Sequence, residues 1–226
     1  MTISDDKRPP PLSALLREGV SLLKRSHAAF GRLGERGPED GARVMVIPGF
    51  LGSDRATLGL QRALARAGYR VSGWGMGLNL GVRADTLDRL IEKLEPFVQE
   101  RKVILVGWSL GGIFAREVAK LRPDLVLKVV TMGAPFSGDL RANNVWRLYE
   151  RIAGHPVDAP PIEVDLGAKP PVPTIALWSR RDGIVAPACA RGEPQESDRR
   201  IEMSCTHMGF AVDPKAFPGV IAAIGD

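Results

Sequence analysis

Hydrophobic and polar positions along this chain change period repeatedly, and each change marks an element. Residues 103–106, VILV, are four aliphatics without a polar break, the pattern of a strand buried on both faces. They run through Gly107-Trp108-Ser109-Leu110-Gly111 into residues 112–119, GIFAREVA, whose apolar positions recur at helical spacing. The stretch predicts strand, sharp turn, helix. Further strands are predicted at 43–48, 69–74, 124–131, 172–179 and, shorter, 199–204, and helical patterns fall at 55–67, 83–101, about 144–152 and 214–224. Ser53 or Asp54 is placed to cap the first of these helices, and Gly68 to end it. Strands alternating with helices predict an α/β fold with a doubly wound, mainly parallel sheet of about six strands. Such sheets bind ligands beyond the carboxyl ends of their strands.

Ahead of the first strand, Leu12, Leu15, Leu16, Val20, Leu22, Leu23 and Phe30 share a segment with Arg17, Lys24, Arg25, His27 and Arg32. This is an amphipathic basic helix, ended by Gly31, Gly34 and Gly37. It suits packing across the domain body, or peripheral contact with an anionic membrane through residues 12–33.

A length of 226 residues suffices for one α/β domain over 38–226, with residues 1–37 as an N-terminal arm and helix packed on it and a small insertion at about 137–171. Hydrophobic content of 44% and charged content of 25% are globular values. No apolar stretch approaches the ~20 residues of a membrane span, and the first residues lack the apolar core of a secretory signal, so a cytoplasmic protein is expected. The net charge of +5 is scattered among acids without any aromatic-basic pattern, which argues against nucleic acid as a partner. Cys189 and Cys205 have neither a disulfide framework nor metal-ligand spacing, and no metal or organic cofactor is called for.

The chemistry begins at Ser109, inside the G-x-S-x-G of residues 107–111. Chance alone expects roughly 0.13 such matches in a chain with this much Gly and Ser, so the motif needs support from elsewhere. A serine hydroxyl is a poor nucleophile unless a base takes its proton. Of three histidines, His27 precedes the sheet, His155 lies in the insertion beside Pro156, and only His207 follows a strand late in the chain. That base needs a carboxylate to fix its tautomer, and Asp182 follows the penultimate strand in an RRDG turn. Asp139, Asp158 and Asp165 are reserve acids in the insertion, with Asp198 in a surface loop. The developing oxyanion needs two N–H donors: Leu110, after the nucleophile, and Phe50, in the PGFLG loop after the first strand. Trp74, Asn79, Trp108, Phe136 and Trp146 are candidates to line a substrate pocket.

The segments VIPGFLGSD, GWGMGLNLG, VGWSLGG, MGAPFSG, SRRDGIV and THMGF resemble bacterial α/β-hydrolases of the small serine esterase and lipase type, over residues 43 to about 224. The resemblance implies Ser109 as nucleophile, Asp182 as acid, His207 as base, and the Phe50 and Leu110 amides as the oxyanion hole. Many lipases carry His-Gly where this chain has Pro48-Gly49, and the fuller fold has eight strands, so a reduced version is expected, with a lightly covered site. Some secreted lipases of this type bridge two cysteines near the acid and base; two free thiols are expected here. The implied activity is hydrolysis of a small-molecule carboxylic ester through an acyl-enzyme. Acyl transfer or thioester hydrolysis would use the same residues. A ligand- or membrane-binding member of the fold without catalysis is the alternative of another class.

Overall fold

A computed structural model describes residues 7–23, 37–98 and 101–225. Six parallel strands form one sheet: β1 (Arg43–Ile47), β2 (Arg70–Gly73), β3 (Val103–Trp108), β4 (Val126–Met132), β5 (Thr174–Trp178) and β6 (Arg199–Glu202), in the order β2-β1-β3-β4-β5-β6. Side-chain alternation in the strands builds two apolar layers. Val44 and Val46 of β1 with Ile104 and Val106 of β3 face one way, joining helices α2 (Leu58–Arg66) and α8 (Phe217–Gly225). Met45, Ile47, Val103 and Leu105 face the other, against α3 (Thr86–Val98) and α4 (Leu110–Leu121). Because both faces are covered, the central strands carry apolar residues on both faces, Val44–Ile47 and Val103–Val106, which is what makes them legible as unbroken runs.

The remaining helices are α1 (Leu12–Leu23), α5 (Trp146–Ala153), α6 (Pro187–Arg191) and α7 (Gly209–Val212). The short α6 and α7 carry no helical period long enough to be read from sequence. Of the basic segment expected to be helical over 12–33, Leu12–Leu23 is helix, and residues 24–33, His27 among them, lie outside the described residues. Within α1, Ala14 and Glu18 are buried while Leu12 and Leu16 are 73% and 76% exposed, so part of the apolar stripe faces solvent. No helix among the described residues is long and apolar enough to cross a membrane.

Neither Ser53 nor Asp54 caps a helix with its side chain. Asp54 instead accepts from the amides of Trp74 (2.9 Å) and Gly75 (3.2 Å), pinning the end of β2. A short 3₁₀ turn, Asp54–Ala56, precedes α2, so the predicted helix is broken at Thr57.

The strand order reverses between β1 and β3: the chain leaves β1 for one edge and returns to build the other from β3. Loops after β1 and β3 therefore part in opposite directions and leave a crevice at their carboxyl ends. Phe50 and Ser109 stand on those two loops.

Candidate active site

Ser109 joins β3 to α4 with φ 54° and ψ −124°, a conformation that side chains rarely adopt and that costs of order 1–3 kcal/mol. Two backbone bonds hold it there. Its N–H donates to Met132 O (2.8 Å), and its carbonyl accepts from Gly112 N (2.8 Å). A Cβ on Gly107 would strike the backbone of Gly111, and one on Gly111 would strike the carbonyl of Ile47, so neither position tolerates a side chain where α4 crosses the strands. The G-x-S-x-G spacing thus follows from backbone packing as well as from the turn.

The loop after β1 carries the only other non-glycine residue with positive φ among those described, Leu51 at 58°. Asn79 clamps this loop. Its backbone carbonyl accepts from Leu51 N (2.7 Å), its backbone N–H donates to Gly52 O (2.8 Å), and its side-chain Nδ2 donates to Pro48 O (2.9 Å). The Phe50 amide is thereby fixed beside the Ser109 turn; a Cβ on Gly49 would lie 2.9 Å from that of Ser109. Leu110 is the first residue of α4, where amides have no intrahelical carbonyl to bond.

Asp182 and His207 follow β5 and β6. His207 Nδ1 lies 2.7 Å from Asp182 Oδ2, with both side chains almost fully buried. Asp182 Oδ1 accepts from the amides of Ile184 (2.9 Å) and Val185 (2.8 Å), which fixes the carboxylate plane. The imidazole packs against the Trp108 ring at 5.7 Å, and Trp108 Nε1 donates to His207 O at 3.0 Å, tying the histidine to the residue next to Ser109. Gly133, at φ 58°, leaves the room: a Cβ there would press on both Asp182 Oδ2 and His207 Nδ1. Burial pulls the His207 imidazolium down, but the charge and hydrogen bond of Asp182 and the charge of Glu18 outweigh it, so its pKa stands above the ordinary histidine value. No direct hydrogen bond joins Ser109 Oγ to His207 among the described residues. Such links are often long before substrate binds.

Ser109 opens on an apolar cavity of about 400 Å³, whose walls include Phe50, Leu110, Trp146, Tyr149 and Ile162. Residues from 157 to 166 of the insertion form one side of it. Of the five pocket candidates, Trp146 lines this cavity, whereas Trp74, Asn79, Trp108 and Phe136 do not. Trp74 is buried in the layer of α3 and α4, with Nε1 turned to Gly77 O (3.0 Å). Asn79 is consumed by the loop it clamps. Trp108 points to the opposite face of the sheet, as the parity of β3 dictates. Phe136 is held beneath the Arg116 guanidinium, 4.1 Å from ring centroid to Cζ. Large aromatics after strands are as readily core as pocket, and only packing tells them apart.

His155 faces Val82 O (3.0 Å) and Tyr149 Oη (3.4 Å). The reserve acids Asp158 and Asp198 are committed to Arg141 and Lys169. Cys189 and Cys205 are both buried free thiols. Burial above all, then the charges of Asp182, Asp213 and Glu18, pushes Cys205 up to about 12. The loops that a disulfide would staple are joined instead by Ser179 Oγ donating to Cys205 O at 2.5 Å and by Glu18 of α1. Among the described residues no group of three or more His, Cys, Asp or Glu could share a metal ion.

A model of the alpha/beta hydrolase family matches residues 12–222, and the chain belongs to that family. Among solved structures it is similar to the mature lipase BlEst2 of Bacillus licheniformis, at 19% identity and TM-score 0.62, covering 86% of this chain and 96% of that one. It is also similar to the carboxylesterase CesB of Bacillus subtilis (11%, TM-score 0.56, 93% and 98% covered). A thioesterase domain from the curacin biosynthetic pathway matches at 15% and TM-score 0.58, with 84% and 93% covered. At these identities the likeness is one of fold.

Proposed function

We propose that this protein is a serine hydrolase that cleaves small carboxylic esters through an acyl-enzyme. The observation that carries this reading is the buried 2.7 Å Asp182–His207 pair, tied through Trp108 to a strained Ser109 that opens on an apolar cavity. In this reading Ser109 Oγ attacks the ester carbonyl while His207 Nε2 takes its proton. Asp182 keeps the other ring proton on Nδ1 and stabilises the imidazolium. The oxyanion is held by the amides of Leu110 and Phe50, which Asn79 and the α4 start preorganise before the reaction begins. His207 then returns its proton to the leaving alcohol, and a water activated by the same base releases the acid. The cavity takes the acyl chain. Thioester hydrolysis or acyl transfer differs only in leaving group or acceptor, and the similarity to a thioesterase domain keeps that second reading in view.

The test is turnover of p-nitrophenyl esters from acetate to palmitate by the parent and by Ser109→Ala. Turnover that Ser109→Ala lowers by at least ~10⁴-fold supports the reading. Equal rates from both proteins reject it and favour a binding member of the fold.

Peripheral contact with an anionic membrane is part of the same proposal, supported by Leu12 and Leu16, which lie exposed one turn apart on α1. Leu12→Ser with Leu16→Ser is expected to weaken sedimentation with phosphatidylglycerol vesicles about tenfold or more, at unchanged turnover of soluble esters. Unaltered sedimentation would reject the contact.

A further inference from the structure

Glu18 is buried, at 4% exposure, and among the described residues it is met by backbone amides. Its carboxylate accepts three backbone N–H bonds. Oε1 takes Gly183 N at 2.8 Å and His207 N at 2.9 Å, and Oε2 takes Met208 N at 2.8 Å. One side chain from α1 thus bridges the residue after the acid and the backbone of the base itself. The neighbourhood is fitted around this bridge. A Cβ on Gly183 would collide with Ala14 O, so α1 lies directly on the acid turn. Just ahead of α1, Pro10 O accepts from Asn144 Nδ2 at 2.9 Å, and the same amide donates to Gly183 O at 2.9 Å. The acid turn is held from both sides by contacts that include the N-terminal segment.

A buried carboxylate is costly unless its oxygens are satisfied, and amides at the ends of two separate loops satisfy this one. Resting on the reading of Ser109, Asp182 and His207 as the catalytic groups, we propose that Glu18 is a positioning residue for the reaction, fixing the acid turn and the His207 backbone in one register. It touches neither substrate nor reacting atoms. A chain whose α1 is undocked keeps Ser109, Asp182 and His207 but loses the bridge between the last two. The N-terminal helix is then part of the catalytic apparatus, although Ser109 and Asp182 stand about 90 and 160 residues further along the chain.

The charged and titratable groups around His207 are Asp182 on the turn after β5, Glu18 on α1, the Cys205 thiol two residues before it, and Arg181, whose guanidinium reaches Ser204 O at 3.5 Å. Replacing Glu18 with glutamine keeps the shape and an oxygen for Gly183 N and His207 N, gives up the bond from Met208 N by turning an NH₂ toward it, and removes the negative charge that helps hold a proton on His207. The general base must be neutral, so activity rises with pH through the histidine pKa. Glu18→Gln is therefore expected to move the acid limb of kcat/KM to lower pH. Glu18→Ala, which lets the loops part, is expected to lower kcat on the plateau by about 10²-fold with KM within about threefold.

Melting curves and the His207 Cε1–H resonance, followed by NMR across pH in the full chain, accompany the kinetics. The NMR titration reads the Glu18–His207 coupling whether or not an ester is turned over. Absence of Ser109-dependent turnover in the parent would defeat the hydrolase reading alone. An unmoved His207 titration in Glu18→Gln overturns the positioning role. So does a Glu18→Ala loss that merely follows the folded fraction.

Discussion

Asp182→Asn is expected to lower kcat about 10⁴-fold, or about 5 kcal/mol of transition-state stabilisation, while leaving the fold intact. The reason lies in which oxygens are occupied. Oδ1 accepts from two backbone amides, Ile184 and Val185, and Oδ2 faces His207 Nδ1. An asparagine in this site can keep its oxygen on the two amides only by turning its NH₂ toward His207. The imidazole must then present Nδ1 as an acceptor and carry its proton on Nε2, where the serine proton has to go. The flipped amide would restore the histidine tautomer but set an NH₂ against two buried N–H donors, at about 1–3 kcal/mol for each bond lost. The wrong tautomer is the cheaper arrangement, so the base is disabled without a cavity or an unpaired charge. Kinetics on the preferred p-nitrophenyl ester, with a urea unfolding curve alongside, checks both halves of this expectation. Activity within tenfold of the parent would remove Asp182 from its assigned role.

How much of this was legible in the chain depends on the range of the interactions. The central strands, the turn at Ser109 and the placement of Asp182 and His207 after β5 and β6 are all local patterns, because strands covered on both faces write unbroken apolar runs and the sharp turn needs Gly107 and Gly111, whereas the edge strands β2 (RVSG) and β6 (RRIE) are marked only by their place between helical segments. The cavity wall was not legible. Trp108 and Trp146 look alike as residues near strand ends or in the insertion, yet one faces the layer beneath His207 and the other the cavity beside Ser109. Strand parity could have assigned Trp108, since it is in phase with Ile104 and Val106. Glu18 was hidden more deeply. The amides it accepts from lie 165 and 189 positions away, and no sequence pattern marks a carboxylate that binds distant main chain. The faint signal was that Glu18 is the one acid within Leu12–Leu23.

Arg116→Met is expected to cost about 3–5 kcal/mol of stability, read as a lower urea midpoint, and to raise KM for long-chain esters more than for acetate. Arg116 is fully buried in the middle of α4, two turns from Ser109. Burial lowers its pKa to about 10 against the pull of Glu196 and Glu117, so the guanidinium remains charged at neutral pH. Methionine matches the stem and removes the charge, and replacing a buried ion in this way is sometimes neutral when its partners leave with it. Here they stay. The guanidinium donates to Glu196 O at 3.0 Å, Ala168 O at 3.2 Å and Leu166 O at 3.4 Å, and the other tie from α4 to this region, Lys120 Nζ to Asp165 O at 2.6 Å, leaves these three carbonyls to Arg116. Leu166 ends the segment that walls the cavity and Ala168 lies two residues beyond it, so their release loosens the acyl site as well as the fold. Arg116→Lys, which keeps the charge but spans fewer of the three carbonyls, should fall between parent and Met variant. A midpoint for Arg116→Met within 1 kcal/mol of the parent, at unchanged KM across the ester series, would mean that the insertion does not depend on the Arg116 guanidinium.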